Sequence, residues 1–271
     1  YDAKSRNNDL SPDFFSSLLE EGFGVFTRVN AIPLGKMTHS AGDTAGGTMR
    51  QQEDTRPLHD LLRNRIQSSI DIKEMLLLDA TFQHAVAKVA IQIVKSLRAG
   101  GKVLFFGNGG SAADAQHLTA EFTGRYLRER VALPALALSV NSSSVTAIGN
   151  DYGFELVFAR QLEALGKPDD VAVGISTSGN SRNVVRALEI AKSKSIYAVA
   201  LTGASGGIVK GVADCTICIP SEETPRIQEC HILTGHLICE IVELMLFEDS
   251  GSRAQDTNFA AVPSRRGPET K

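Results

Sequence analysis

From Leu58 onward the apolar positions follow two rhythms in turn. Leu61, Leu62, Ile66, Ile70 and Ile72 recur at roughly helical spacing, and a second apolar run over 82–97 does the same, so two helices are predicted before the first strand. After Ala99-Gly100-Gly101 the pattern changes to Lys102-Val103-Leu104-Phe105-Phe106, a continuous apolar run that suits a strand buried on both faces. A glycine loop and another helix follow. The alternation then repeats. Residues 135–140 read as a strand and 145–148 as the opening of a helical turn; 171–175 is a strand and 183–193 a helix. Residues 198–201 form a further strand with a short helix near 207–212, and 215–219 a last strand, followed by a long helix over 226–247. Strands alternating with helices predict an α/β fold: a three-layer sandwich with a central parallel sheet flanked by helices, and a helical N-terminal extension.

The flanks differ from this pattern. Residues 1–57 are expected to form a flexible extension, because 39–56 (HSAGDTAGGTMRQQEDTR) is small, polar and glycine-bearing, although 14–26 suits one short apolar helix. The chain begins at Tyr1, and Met37 and Met49 are candidate starts. Residues 249–271 read as a disordered tail, which leaves 58–248 as the folded domain.

A formal net charge of -3 provides no basic field for nucleic acid or an anionic membrane. No stretch approaches the roughly 18 to 20 uninterrupted apolar residues of a spanning helix, and the first thirty residues lack the order of a signal peptide, so the expected address is cytoplasmic. Cys215 and Cys218 form a C-x-x-C, which invites a redox or zinc reading. The segment reads as a strand, however, where residues three apart face opposite ways, so these are expected to be structural thiols.

In a parallel sheet, ligands gather at the carboxyl ends of the strands. Two loops fit that location. Gly107-Asn108-Gly109-Gly110-Ser111 follows the first strand; its glycines let backbone N–H groups approach an anion at a helix N-terminus. It is neither G-x-G-x-x-G nor a Walker loop, which argues against a nucleotide. The second loop, Ser176-Thr177-Ser178-Gly179-Asn180-Ser181, offers four hydroxyls in six residues beside a helix start. One hydroxyl suffices for an N-cap, whereas four suit a phosphate.

Candidate proton-transfer groups lie on two helices. His117 and Glu121 are four residues apart and share a helix face, where they suit a metal or an acid/base pair; an ordinary surface hydrogen bond is the alternative. On the last helix, Gln228 lies about 60° from His231 and about 80° from His236, while the two histidines are about 140° apart. Helical geometry leaves open which of them shares a site with Gln228, and the other is expected to be buried.

Four ordered motifs carry a resemblance: GNGGSAADAQHLTAEFTGRY at 107–126, GNDYGF at 149–154, GISTSGNS at 174–181 and RIQECHILTGH at 226–236. Together they resemble the bacterial sedoheptulose 7-phosphate (phosphoheptose) isomerase family, within the wider sugar isomerase (SIS) domains of flavodoxin-like fold. The resemblance implies an enediol isomerisation of D-sedoheptulose 7-phosphate to D-glycero-D-manno-heptose 7-phosphate, the first step of heptose supply, in a cytoplasmic homotetramer. It also implies that Glu121 is the base and His236 its catalytic partner. A zinc set would comprise His117, Glu121, Gln228 and His236. Substrate contacts would comprise Asn108, Gly109, Gly110, Ser111, Glu121, Asn150, Asp151, Ser176, Thr177, Ser178, Ser181 and Gln228, with Arg125 near the sugar phosphate. Ala112 and Ala113 stand where some members carry larger residues. The competing reading is a non-catalytic SIS module resembling the DnaA-binding initiator-associating protein, which lacks the carboxylate and histidine present here. A different phosphosugar within the same superfamily is the other alternative.

Overall fold

The computed structural model describes residues 55–247. The expected helix over 14–26, the start sites Met37 and Met49, most of the 1–57 extension and the 249–271 tail lie outside the described residues.

Two helices come first: α1 (Arg56–Leu78), with a proline in its opening turn, and α2 (Ala80–Arg98). Asp79 separates them. Its carboxylate accepts the N–H groups of Thr81 at 2.8 Å and Phe82 at 3.2 Å, capping α2 and fixing the break. The strands are β1 (Val103–Gly107), β2 (Ala135–Ala137), β3 (Val171–Ile175), β4 (Tyr197–Thr202) and β5 (Cys215–Cys218). All pair in parallel in the order β2-β1-β3-β4-β5. The intervening helices are α3 (Gly110–Thr123), α4 (Ser142–Tyr152), α5 (Ala159–Leu165), α6 (Arg182–Ser193) and α7 (Val209–Val212); α8 (Thr224–Phe247) closes the domain.

The pleat divides the strand residues between two cores. Val103, Phe105, Val173, Ile175, Val199, Leu201 and Ile217 pack with α2, α3 and α8. Leu104, Phe106, Ala172, Ala198 and Ala200 pack with α5, α6 and α7. Burying both faces explains why β1 and β3 read as unbroken apolar runs. By length and a mean hydropathy of 1.6, α8 matches a membrane span. In the fold its Ile227, Cys230, Ile238 and Val242 are buried in the first core.

Three details differ from the expected elements. The strand expected over 135–140 ends at Ala137: Leu138 still donates its N–H to the Phe105 carbonyl at 2.9 Å, but the edge strand then turns outward and Val140 is exposed. The 3-10 turn Phe154–Leu156 and helix α5 were not foreseen; at three and seven residues they are too short for a periodic signal. Cys215 is buried and Cys218 half-buried on opposite faces of β5, and all four cysteines are free thiols.

Candidate active site

The order 2-1-3-4-5 places a topological switch between β1 and β3, where the loops leave to opposite sides of the sheet and open a crevice. The last residues of these strands, Gly107 and Ile175, are register partners. The glycine loop and the serine loop therefore leave the sheet side by side, although 69 positions separate Gly107 from Ser176 in the chain. A reciprocal amide pair ties them. Asn108 donates to Asn183 Oδ1 at 2.9 Å, and Asn183 donates back to Asn108 Oδ1 at 2.8 Å. Asn183, in the first turn of α6, was not singled out by sequence; an asparagine opening a helix looks like ordinary capping there.

In the serine loop the buried Ser176 hydroxyl donates to Ser181 Oγ at 2.9 Å. Ser181 occupies the N-cap position of α6 but makes no side-chain cap bond, so its own O–H remains available to a ligand. Ser178 is exposed, and its Oγ accepts the Asn180 N–H at 3.2 Å. The Thr177 carbonyl accepts the Gly203 N–H at 3.0 Å, which anchors the loop to the end of β4. Gly109 and Gly110 are exposed and Ser111 is buried at the start of α3. The Gln228 amide lies against Gly110: a β-carbon there would sit 2.5 Å from Gln228 Nε2 and 3.1 Å from its Oε1. Glycine here leaves room for the last helix's amide to lie against this loop.

Helices α3 and α8, both on the first core's side of the sheet, supply the titratable groups. His117 Nε2 lies 2.9 Å from His236 Nε2 and 3.2 Å from Glu121 Oε1. One ligand atom from each of His117, Glu121 and His236 falls within 4.8 Å of the others. The close approach depends on Gly235, where a β-carbon would sit 2.7 Å from Leu118 Cδ1 and 3.0 Å from its Cγ on α3. With only hydrogen there, α8 lies flush on α3 and the adjacent His236 meets His117.

The two histidines of α8 have opposite fates. His231 is 1% exposed; its Nε2 donates to the Thr202 carbonyl at 3.2 Å and its Nδ1 has no partner. Burial pushes its pKa down to about 4, against the opposing effect of that hydrogen bond, so it is neutral at pH 7. His236 is only partly buried and stacks on Tyr126, with ring centroids 5.4 Å apart. Asp114, one turn before His117, carries a buried, unpartnered Oδ2; desolvation raises its pKa to about 6 although His117 opposes the shift.

The remaining expected residues make other contacts. Asn150 and Asp151 are exposed at the end of α4, where Asn150 Nδ2 donates to Asp151 Oδ1 at 2.8 Å. Arg125 is exposed after α3 and faces Glu129 at 3.5 Å. Gln228 joins the glycine loop through Gly110, two turns of α8 before His236.

Two imidazole nitrogens and a carboxylate converging on one point are a donor set that suits zinc. Two Nε2 atoms at 2.9 Å otherwise share a proton, with one donating and the other accepting.

Residues 73–203 match the SIS domain family. The chain is 57% identical over 159 residues to a phosphoheptose isomerase of Rhodospirillum rubrum, covering 59% of this chain and 85% of that one. It is 50% identical over 192 residues to a phosphoheptose isomerase of Aneurinibacillus thermoaerophilus, covering 71% of this chain and 97% of the relative. A solved phosphoheptose isomerase structure from Francisella tularensis superposes with a TM-score of 0.66 at 38% identity, covering 68% of this chain and 97% of that one.

Proposed function

This chain belongs to the phosphoheptose isomerase family, and we propose that it interconverts D-sedoheptulose 7-phosphate and D-glycero-D-manno-heptose 7-phosphate with Glu121 and His236 as its proton-transfer groups. The observation that carries this reading is the convergence of His117, Glu121 and His236 on the α3–α8 seam. The glycine loop, which opens the same helix as His117 and Glu121, forms with the serine loop a crevice lined with hydroxyls and amides.

The phosphate binds at the serine loop, where Thr177, Ser178 and Ser181 and the N-terminus of α6 supply donors without a cationic side chain. Asn108, Gly109, Gly110, Ser111 and Gln228 hold the sugar hydroxyls, and Asn150 and Asp151 approach it from α4. Glu121 removes the proton from C1 of the ketose, next to the C2 carbonyl. His236 donates a proton to the carbonyl oxygen as negative charge develops there, giving a neutral enediol. Reprotonation at C2 and loss of the O1 proton complete the aldose. Every proton removed is returned, so no redox partner is required. His117, Glu121 and His236, with Gln228 as a fourth donor, would hold zinc; when bound it would act as a Lewis acid on the substrate oxygens.

A homotetramer is part of this proposal. Leu58, Leu62 and Ile66 recur every fourth residue of α1 and are 59%, 59% and 61% exposed, a stripe that calls for cover. The reaction is placed in the cytoplasm, where the four free thiols would stay reduced.

The test is proton NMR of the purified protein with sedoheptulose 7-phosphate in D2O, with added zinc and with a chelator. Aldose phosphate carrying deuterium at C2 is the expected result, and the two conditions report the role of the metal. A folded protein that binds the sugar phosphate in both conditions without turnover would replace the isomerase reading with a binding module.

A further inference from the structure

The segment between α3 and β2 is held by a buried ion pair with no assigned role. Arg130 Nε lies 2.7 Å from Glu243 Oε1, and both side chains are 2% exposed. Burial of a pair costs desolvation unless every remaining donor and acceptor is used. Here each guanidinium nitrogen and each carboxylate oxygen has a partner. Glu243 also accepts three successive backbone N–H groups, from Tyr126 at 2.9 Å, Leu127 at 2.9 Å and Arg128 at 3.0 Å. These bonds and Arg130 hold its pKa down against its own desolvation. Arg130 donates to the carbonyls of Glu121 at 2.6 Å, Phe122 at 2.8 Å, Val131 at 3.0 Å and Gly124 at 3.2 Å. A cation thereby satisfies the orphan carbonyls at the end of α3, next to the residue proposed as the base.

The placement links this pair to the reacting groups. Glu243 and His236 are seven residues apart on α8, about 20° from the same face. The first N–H that Glu243 accepts belongs to Tyr126, whose ring lies on the His236 imidazole at 5.4 Å between centroids and 28° between planes. The carboxylate thus fixes the backbone of the residue that stacks on His236, while its partner arginine fixes the last turn of the helix bearing His117 and Glu121.

We propose that Tyr126, clamped by the Arg130–Glu243 pair, is a positioning residue for His236: its ring holds the imidazole in the orientation that faces His117 and Glu121. This rests on the isomerase reading above. An imidazole free to rotate loses alignment with the substrate oxygen, a loss that falls on turnover more than on binding because the loops holding the sugar phosphate lie elsewhere.

The experiment combines steady-state kinetics with NMR of the His236 ring protons in chelator-treated protein. The ring current of the adjacent Tyr126 is expected to shift those protons. Tyr126→Leu is expected to abolish the shift and lower kcat about tenfold with KM within about twofold of wild type. Tyr126→Phe, which keeps the ring, is expected to restore both. Glu243→Gln, or Arg130→Lys if that chain does not fold, is expected to change the resonance and kcat in the same direction as Tyr126→Leu. A folded Tyr126→Leu protein with an unmoved His236 resonance and wild-type kcat overturns the proposal, as does a Tyr126→Phe protein as impaired as Tyr126→Leu. If the wild-type protein turns over no sugar phosphate, the isomerase reading fails while the resonance still decides whether Tyr126 and its clamp orient His236.

Discussion

The crevice between β1 and β3 and the seam between α3 and α8 are built in different ways. The crevice is made of contiguous loop residues at the ends of two paired strands, and its donors are amides and hydroxyls that keep their charge state across physiological pH. The seam is made of side chains brought together by helix packing, and its groups are imidazoles and a carboxylate, the side-chain types that serve as general acids and bases. The crevice suits holding a ligand and the seam suits moving protons. Losses in the crevice should therefore appear in KM, and losses in the seam in kcat.

The largest effect expected is that of Glu121→Gln. The amide keeps the shape beside His117 but cannot accept a proton, so kcat should fall by about a thousandfold or more. Calorimetric binding of sedoheptulose 7-phosphate should remain within about threefold of wild type, since the phosphate loop is untouched. Retained turnover would remove Glu121 from the mechanism and dissolve the division between crevice and seam.

A second test exploits the contrast within α8. His231 has a folded pKa of about 4, below the ordinary value of 6.5. Between those values the unfolded chain binds the additional proton, so stability is complete above pH 6.5 and is lost as the pH falls toward 4. Across that window this one group should cost about 3 kcal/mol of unfolding free energy, read from denaturant midpoints at a series of pH values. His231→Gln retains an N–H for the Thr202 carbonyl, so its acid limb should flatten. An unchanged acid slope in that variant would show that His231 does not titrate as its burial implies.

Gly235→Ala tests whether packing sets the seam. The added methyl meets the Leu118 side chain, so α8 must move away from α3 or Leu118 must leave its rotamer, at a cost of about 1–3 kcal/mol. Thermal unfolding should register that loss. The same displacement separates His236 from His117, and kcat should fall by about tenfold while KM changes little. A loss of stability without a loss of kcat would mean that the seam tolerates movement of α8.

The same contrast explains what was legible in the sequence. The crevice could be read because each loop is one contiguous string after an apolar run, and the strand ends fall within a residue of where the pattern changes. The seam could be read only in part. His117 and Glu121 share a helix, but helical angles did not choose between His231 and His236; the choice came from resemblance, whereas the fold separates them by depth. Arg130 and Glu243 are 113 positions apart, and nothing in either neighbourhood marks them as partners. Asn183 was hidden for the same reason, because its partner Asn108 belongs to another loop. Local patterns reveal residues that act with their chain neighbours, and long-range polar pairs become visible only when the packing is known.

The smallest effect lies at the tip of the serine loop. Ser178 is exposed, and its hydroxyl accepts the Asn180 N–H at 3.2 Å while leaving its proton free to donate to a phosphate oxygen. Ser178→Ala removes one such donor out of several. A hydrogen bond to a charged group contributes about 1.5–3 kcal/mol, but solvent can replace this one at an exposed tip, so a loss near 1 kcal/mol is expected. That corresponds to about a fivefold rise in KM with kcat unchanged, because the missing bond serves ground state and transition state alike. Inorganic phosphate should weaken as a competitive inhibitor by the same factor. A fall in kcat instead would mean that the serine loop also sets the alignment of the sugar's reacting carbons, and the separation of holding from proton transfer would fail at this residue first.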